Sequence, residues 1–339
     1  MQILPLSKIE NSRVFLRIDF DVPIVNGVVQ DTYRLKKNCE TVKYLLGKRN
    51  KIVLFTKIGR PEKKSEELST KNLINELTKI LQVENIHFEE KLENLNKLEG
   101  ELTLFENTRF YDFEYNLDEN TKKIIKDNFD IYVDEAFAMS HREESTNYDV
   151  PKLLEKGSVG LNYAQEIKTL NKIKKGNFFH PSLFILGGVK AETKIPMIEK
   201  LVNKFSYFLL GGKLVTDKDL IALKTKYKNI KLLTLNESTL DIDAKSLDVL
   251  TRSVLLAKTI IWNGPLGKFE DEAGQYATKA LIQSLKDFRG LKIAGGGDTL
   301  AAIEKFGHEE DFDFLSTGGG AMFSFLSGEK TNIEKLMKY

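Results

Sequence analysis

The stretch Gly295-Gly296-Gly297-Asp298-Thr299 combines residue types whose spacing points to chemistry. The apolar run 291–294 precedes three glycines, which let the backbone turn sharply and bring its N–H groups close to a ligand. A helix predicted to begin just beyond them would add about half a positive charge at the same place. Asp298 would repel a free anion there, so the pattern favours a divalent cation between the two. Taken alone, the stretch is equally compatible with an ordinary glycine-rich turn capped by Asp298.

A second set of candidates lies at the ends of predicted strands in the first half of the chain. The set consists of Asp19, Phe20, Asp21, Lys57, Arg60, Arg109 and, a little further from its strand, Arg142. Because ligands of open parallel sheets bind beyond the carboxyl ends of the strands, these side chains are expected to face one site. An arginine fork matches phosphate and carboxylate oxygens, although any single arginine is more often a surface or salt-bridge residue.

Arg34 joins this set because of its place in a predicted helix. It follows Asp31, a candidate N-cap, by three positions. A cation in the first turn of a helix is disfavoured by about 0.3–1 kcal/mol. An anion close to Arg34 would offset that cost, so we expect one there.

In the second half, the segments that follow predicted strands are rich in glycine. They are Gly187-Gly188, Gly211-Gly212, Asn263-Gly264-Pro265, Gly295–Thr299 and Gly318-Gly319-Gly320. Small residues at one sheet edge leave room for a large flat or phosphorylated ligand. Lys190 and Lys194 would share one face if their segment were helical. An arginine-lined site in one half and a nucleotide site in the other together predict phosphoryl transfer.

Two α/β halves are needed to position these residues. Strands are predicted at 14–20, 52–55, 102–105 and 131–133, and again at 183–186, 207–210, 230–233, 259–262, 291–294 and 312–315. Helices are predicted in most of the gaps, including 34–48, 71–81 and 121–125. This alternation is typical of parallel, doubly wound sheets. The polar stretch 164–174 predicts a connecting helix and hinge.

Composition narrows the function classes. The chain has 339 residues, which predicts two domains, and its 51 basic and 49 acidic residues give no reason to expect nucleic-acid or membrane binding. The single cysteine, Cys39, fits a reducing cytosol, and neither a signal peptide nor a membrane span is expected. Neither a P-loop signature nor a G-x-G-x-x-G after a strand occurs, and the four histidines are scattered.

Taken in order, the motifs resemble the phosphoglycerate kinase family over essentially the whole chain. The matching stretches are Arg17–Pro23, Asp31–Arg34, Gly59–Pro61, Glu106–Phe110, Ala136-Phe137 with His141-Arg142, Leu186–Lys190 with Lys194, Ile261–Pro265, Gly295–Thr299 and Ser316–Ala321. Each stretch is a weak signal, whereas all of them in family order are very specific.

The resemblance implies two Rossmann-like domains joined by a hinge helix. Residues 1–160 would form a phosphoglycerate-binding domain, 161–175 the hinge, and 176–320 a nucleotide-binding domain, with 321–339 returning to the first domain. The implied reaction is reversible phosphoryl transfer from 1,3-bisphosphoglycerate to ADP with Mg²⁺, giving 3-phosphoglycerate and ATP. These small molecules would be its partners, and a cytoplasmic monomer is implied.

The resemblance also implies residue roles. Asp19, Phe20, Asp21, Arg34, Lys57, Arg60, Arg109 and Arg142 would hold phosphoglycerate. Lys190, Lys194, Leu240, Asn263, Glu270, Gly296, Gly297, Asp298 and Thr299 would hold the nucleotide, with Asp298 toward the metal. Arg34 and Lys194, with the N–H groups of Gly297 and Gly319, would stabilise the transferring phosphoryl group.

Three departures from the family pattern leave alternatives open. Asp21 stands where the family usually has asparagine, and Lys57 where it usually has histidine. The segment 212–241, which helps to wall the adenine pocket, is shorter than usual. A catalytically weakened relative that acts as a binding protein is therefore one alternative. A nicotinamide-dependent oxidoreductase is another on architecture alone, although the dinucleotide fingerprint is missing.

Overall fold

The computed structural model describes residues 1–97, 100–189, 191–192 and 194–336. Its strands are Gln2–Ile3 (β1), Arg13–Ile18 (β2), Ile24–Val25 (β3), Val28–Val29 (β4), Lys51–Phe55 (β5), His87–Glu89 (β6), Leu102–Phe105 (β7), Ile131–Glu135 (β8), Lys156–Val159 (β9), Ser182–Leu186 (β10), Tyr207–Leu210 (β11), Ile230–Leu232 (β12), Thr259–Asn263 (β13), Leu291–Gly295 (β14) and Phe314–Ser316 (β15). Its α-helices are Tyr33–Leu46 (α1), Ile74–Leu81 (α2), Glu119–Asn128 (α3), Ser145–Leu154 (α4), Leu161–Lys174 (α5), Ile195–Leu201 (α6), Lys218–Lys226 (α7), Ala244–Leu256 (α8), Tyr276–Lys286 (α9), Gly297–Phe306 (α10), Gly319–Leu326 (α11) and Asn332–Leu336 (α12).

The chain folds into two compact units. Unit 1 comprises Met1–Ile167 with Lys330–Tyr339, and unit 2 comprises Lys168–Glu329. The boundary falls inside α5. Each unit contains one large parallel sheet, so the predicted fold class, two parallel α/β domains, is confirmed. Within the described residues, no helix is both long enough and apolar enough to cross a membrane.

The sheet of unit 1 has the strand order β1-β9-β8-β2-β5-β7-β6, with every pair parallel. Successive residues of β7 and β8 are buried, as expected for strands covered on both faces. Strand β2 lies between β5 and β8. The chain leaves β2 toward β5 and leaves β8 toward β9, in opposite directions, so a crevice is expected at the carboxyl ends of β2 and β8.

Helix α1 shows how the sequence pattern builds this unit. Its buried residues include Leu35, Asn38, Cys39, Val42 and Leu45, whose spacing of three and four puts them on one helix face. Leu35, Cys39, Val42 and Leu45 are completely inaccessible and pack in the same core as β2 and β5. Docking of this face holds the start of α1, with Arg34, against the end of β2.

The sheet of unit 2 has the order β12-β11-β10-β13-β14-β15, again entirely parallel. In order of appearance within the unit this is 3-2-1-4-5-6, the order of dinucleotide-binding folds. The topological switch point therefore lies between β10 and β13. The glycine-rich segments after β10 and β13 flank it.

Several short elements were not predicted. β1 and β6 are only two and three residues long, and β9 contains Gly157 and Ser158 in place of a continuous apolar run. The hairpin β3–β4 turns at Asn26-Gly27, both with positive φ, which is a recognisable turn signal. The helix predicted over 71–81 is a 3₁₀ turn, Thr70–Leu73, followed by α2.

The connecting helix α5 is capped by a buried carboxylate from the sheet. One oxygen of Glu135 accepts a hydrogen bond from the backbone N–H of Tyr163 at 2.8 Å, and the other accepts one from the Thr41 hydroxyl at 2.5 Å. Thr41 in turn accepts from the N–H of Leu161 at 2.8 Å. Two N–H groups of the first helical turn are thereby satisfied. Glu135 thus ties the start of α5 to the end of β8.

We predict that Glu135→Ala destabilises the protein by about 2–4 kcal/mol, because it leaves a buried N–H without an acceptor and opens a cavity. Urea-induced unfolding measures the effect. Glu155→Ala, at an exposed position before β9, is the control and should change stability by less than about 0.5 kcal/mol. Equal, small effects of both substitutions would contradict the capping role.

Candidate active site

The predicted anion-binding residues of unit 1 converge at the carboxyl end of its sheet. Asp19 and Asp21 follow β2, Lys57 follows β5, Arg109 follows β7, and Arg142 follows the short helical turn after β8. Strands β2, β5, β7 and β8 are neighbours in the sheet, so these segments are adjacent in space. Several contacts among these side chains are ion pairs.

Asp21 and Lys57 form one ion pair at the centre of this edge. The Lys57 ammonium contacts one carboxylate oxygen of Asp21, and the other oxygen accepts the N–H of Gly59 at 2.8 Å. The two residues that depart from the family pattern, Asp21 and Lys57, are therefore partners of each other. Asp21 is neutralised by Lys57 and orders the backbone that leads to Arg60, so it is not simply an additional negative charge beside a phosphorylated substrate.

Lys57 lies in a buried environment in which its ammonium group loses a proton more easily than usual. Its residue is 7% exposed, and burial lowers its pKa to about 8, with Asp19 opposing the shift and Arg109 adding to it. The ammonium is therefore charged at neutral pH and loses its proton as the pH rises through about 8. Any contribution of Lys57 to anion binding follows the same titration.

The anion expected near Arg34 is Asp19. A guanidinium nitrogen of Arg34 lies 3.4 Å from the buried Asp19 carboxylate and also donates to the backbone carbonyl of Asp21. The N-cap of α1 is Thr32 rather than Asp31. The Asp31 side chain accepts a hydrogen bond at 2.8 Å from the N–H of Tyr33, the first residue of the helix. The Asp19 carboxylate and the carbonyl of Asp21 therefore hold the Arg34 side chain across the end of β2.

Arg109 and Arg142 share a second carboxylate, Glu144. A carboxylate oxygen of Glu144 accepts a hydrogen bond from Arg109 and lies 3.8 Å from a nitrogen of Arg142. Arg109 also donates to the carbonyl of Gly59 at 2.5 Å. Arg60 is exposed nearby on the Gly59–Pro61 segment. Phe20 is completely buried, so its side chain supports the site from below and only its backbone is near the polar edge.

Beneath this edge lies a buried cluster that the sequence prediction missed. Arg17 is inaccessible to solvent, and its guanidinium lies 3.7 Å from Glu114 and 4.0 Å from Glu144. Burial raises the pKa of Glu114 to about 7, although the charge of Arg17 opposes the shift. An arginine inside the apolar run of β2 was the available signal, because a buried charge needs a partner. Neither acid carries a comparable signal in the sequence.

In unit 2 a cleft of about 720 Å³ opens beside the topological switch point. Gly188 and Pro265 line it from the loops after β10 and β13, and Leu240, Glu270 and Asp298 line it from other segments. The shortened segment 212–241 still supplies a wall through Leu235 and Thr239. The cleft has the position and size expected for a nucleotide.

Hydrogen bonds hold the end of β13 against the end of β14 and the start of α10. The side-chain amide of Asn263 donates to the carbonyl of Gly295 at 2.6 Å, while Thr299 accepts the N–H of Gly264 at 2.8 Å. A Cβ on Gly319 would lie 2.5 Å from the Cα of Gly296, and Gly296 has a φ of +109°. Only glycine allows these two backbones to approach so closely. The first turns of α10 and α11 are consequently side by side.

Lys194 and Asp298 occupy the rim of this arrangement. The ammonium of Lys194 donates to the carbonyl of Gly187 at 2.7 Å, and burial lowers its pKa to about 8, with the charge of Asp298 opposing the shift. Lys194 precedes α6, so it does not lie on a helix face as the spacing had suggested. Lys190 lies outside the described residues. Asp298 is exposed in the first turn of α10, whose N-cap is Gly296, so the acid is not the cap.

Comparison with known proteins identifies the family to which the chain is similar. A model of the family described as phosphoglycerate kinase matches residues 5–217 and 213–329. The phosphoglycerate kinase of Dictyoglomus turgidum is 31% identical over 375 aligned residues, covering 95% of this chain and 94% of that protein. The enzyme of Finegoldia magna is 30% identical, covering 95% of each chain. The chain belongs to the phosphoglycerate kinase family.

Solved phosphoglycerate kinases share its fold. The structure from Coxiella burnetii has a TM-score of 0.78 at 25% identity and covers 98% of both chains. The structure from Pyrococcus horikoshii has a TM-score of 0.84 at 24% identity and covers 99% of this chain and 98% of that one. The chain is accordingly a phosphotransferase with a carboxyl group as acceptor, as the resemblance implied.

We predict that the dissociation constant of 3-phosphoglycerate rises as the pH passes through about 8, because Lys57 then loses its charge. Lys57→Arg should remove this inflection, since a guanidinium stays protonated up to about pH 12. Isothermal titration calorimetry across that range measures both proteins. Lys64→Arg, at an exposed lysine paired with Glu90, is the control and should retain the wild-type profile. An inflection that persists in Lys57→Arg would assign the titration to another group.

Proposed function

We propose that this chain transfers a phosphoryl group from 1,3-bisphosphoglycerate to ADP, giving 3-phosphoglycerate and ATP, and that the reaction depends on Mg²⁺. The observation that supports this most strongly is the pairing of two different sites in one chain. At the carboxyl end of its sheet, unit 1 has arginine and lysine side chains paired with carboxylates, which suits a small multiply charged anion. Unit 2 has a glycine-lined cleft that suits a nucleotide. An assay that couples ATP formation to a dye or NADPH readout tests the proposal directly, and absence of ATP would overturn it.

In unit 1, the proposed task is to hold phosphoglycerate and to fix its reacting carboxyl group. Arg60, Arg109 and Arg142 would bind the phosphate that is not transferred, because guanidinium forks match phosphate oxygens. Asp19, Asp21 and Lys57 would orient the hydroxyl and carboxyl end. Phe20 supports this edge through its buried ring and through its N–H, which donates to Thr56 at 3.0 Å.

In unit 2, the backbone performs most of the proposed binding. N–H groups in the first turn of α10, from Gly297 onward, and those of α11, from Gly319 onward, are unpaired within their helices and suit phosphate oxygens. Asn263, Gly296 and Thr299 keep these turns in place, while Leu240 and Glu270 would contact the base and ribose end. Lys190 and Lys194 would contribute positive charge to the phosphates.

Asp298 is the residue that would hold Mg²⁺. Among the described residues there is no group of three or more histidine, cysteine or acidic side chains that could hold a metal ion. One exposed carboxylate beside a phosphate-binding turn fits Mg²⁺, which takes its other ligands from water and from substrate phosphates. When bound, the ion neutralises charge on the phosphate oxygens.

The transferring group would be stabilised from both units. Arg34 and Lys194 would bring cationic donors, and Gly297 and Gly319 would bring N–H groups, to the three equatorial oxygens of the phosphoryl group. In-line transfer requires the two bound substrates to meet and exclude water, so we further propose that the units close about α5 during turnover.

A cytoplasmic monomer is the assembly we propose. The balanced charge supports it, as does Cys39, which is buried and whose pKa burial raises to about 12, as suits a thiol that forms no disulfide. Sedimentation equilibrium should return a mass near 38.6 kDa. A mass twice as large would contradict the monomer.

We predict that Asp298→Asn lowers kcat by at least about tenfold while stability changes by less than about 0.5 kcal/mol, because Asp298 is exposed and would face the metal. The Mg²⁺ concentration for half-maximal rate should rise in parallel. Asp219→Asn is the matched control, since Asp219 lies in the first turn of α7. A near-normal rate with unchanged Mg²⁺ dependence in Asp298→Asn would remove Asp298 from the metal site.

We predict that Arg34→Ala lowers kcat by about 10²–10³, as expected for loss of one donor to a transition-state oxyanion. Arg34→Lys should recover only part of the rate because lysine lacks the planar fork. The Ala variant should also be less stable, since Asp19 loses its ion pair. Arg13→Ala, which breaks an exposed pair with Asp130 at the other end of β2, is the control for kcat. A change in KM alone would make Arg34 a binding residue.

A further inference from the structure

The helix that begins after Glu144 does not explain why a glutamate stands at this position. Glu144 is the N-cap residue of α4, yet its side chain makes no cap hydrogen bond. Serine, threonine, aspartate and asparagine are the residues that cap helices well, because their short side chains reach the first N–H groups. The Glu144 carboxylate is instead directed toward the arginines. The stability of α4 therefore does not explain it.

The carboxylate of Glu144 contacts cations from three separate segments. It accepts a hydrogen bond from Arg109, lies 3.8 Å from Arg142, and has its second oxygen 4.0 Å from Arg17. Its side chain is 13% exposed. The hydrogen bond from Arg109 and the charge of Arg17 hold its pKa below the usual range, although burial acts in the other direction. Glu144 is therefore an anion at neutral pH, with Glu114 and Tyr115 as the other titratable groups near it.

Arg109 and Arg142 are two of the three arginines assigned above to the phosphate of phosphoglycerate. A guanidinium fork that donates to Glu144 cannot make the same hydrogen bonds to a phosphate. An arriving phosphate that takes the N–H groups facing Glu144 replaces the carboxylate. The carboxylate has a place to withdraw to, because its other oxygen already lies 4.0 Å from Arg17, beside Glu114.

We propose that Glu144 is an internal counter-ion, a positioning residue that competes with the substrate phosphate for Arg109 and Arg142 and so weakens phosphoglycerate binding. This inference rests on the proposed function for the identity of the substrate. The competition prevents the empty arginines from repelling one another and keeps the bound substrate and product from being held too tightly. Release of the phosphoglycerate is then assisted by return of the carboxylate.

The test compares Glu144→Gln with a matched neighbour. Glu143→Gln removes the same charge one residue earlier, from an exposed side chain that pairs with Lys335 at 2.9 Å. Isothermal titration calorimetry with 3-phosphoglycerate should show about tenfold tighter binding for Glu144→Gln, in line with loss of one charged hydrogen bond that binding has to break. Glu143→Gln should bind as the wild type does.

Two further measurements separate competition from a purely structural role. In an Arg109→Ala background, Glu144→Gln should lose most of its gain, because the contested partner is gone. In steady-state kinetics, Glu144→Gln should lower KM without raising kcat, the result expected when ground state and transition state gain equally. Glu144→Asp, which is one methylene shorter, should tighten binding in the same direction by a smaller factor and serves if the Gln variant does not fold.

Sulfate binding by the same variants tests the counter-ion role independently of the substrate assignment. If the wild type failed to bind 3-phosphoglycerate, the proposed function would be wrong, yet Glu144→Gln should still bind sulfate more tightly than Glu143→Gln does. The counter-ion role is overturned if Glu144→Gln binds both anions no better than the wild type. It is also overturned if Glu143→Gln tightens binding equally, or if the gain persists without Arg109.

Discussion

Concentration of positive charge at the carboxyl end of one parallel sheet is the constraint on which unit 1 depends. Arg17, Arg34, Lys57, Arg109 and Arg142 are buried or half-buried there, and burying unpaired charge costs several kcal/mol per ion. The carboxylates of Asp19, Asp21 and Glu144 offset that cost, and Glu114 lies beside Arg17 with a raised pKa. The edge is consequently a set of ion pairs, and an incoming anion exchanges partners with the acids already present.

Unit 2 meets a similar need with backbone groups. Its cleft is lined largely by glycine-rich turns at the switch point between β10 and β13. Asn263 and Thr299 hold the turns, while Gly296 and Gly319 let two helix starts approach each other. The nucleotide proposed for this cleft would bring its own charge and metal, so N–H groups with Asp298 beside them would be sufficient.

Sequence patterns predicted most of the fold because strand ends and apolar periodicity are local signals. β7 and β11 have the predicted bounds, and the other strands that were predicted differ by one or two residues at an end. β1, β6 and β9 were missed because their pairing depends on neighbouring strands rather than on their own apolar character. The predicted contact residues of unit 1 were brought together, since all of them follow strands of one sheet.

The pairing of charges could not be predicted in the same way. That Asp21 neutralises Lys57, or that Asp19 is the anion facing Arg34, depends on distances between loops that are far apart in sequence. Glu144 follows Arg142 closely, but only the three-dimensional arrangement shows that it also meets Arg109 and Arg17. A surface glutamate and an internal counter-ion have the same appearance in a sequence.

A crystal structure of the protein with 3-phosphoglycerate is the most direct test of this exchange of partners. We predict that the phosphate oxygens lie within hydrogen-bond distance of Arg109 and Arg142, and that the Glu144 carboxylate has withdrawn from Arg109 toward Arg17. A phosphate bound elsewhere in unit 1, or bound with the Arg109–Glu144 pair intact, would contradict it.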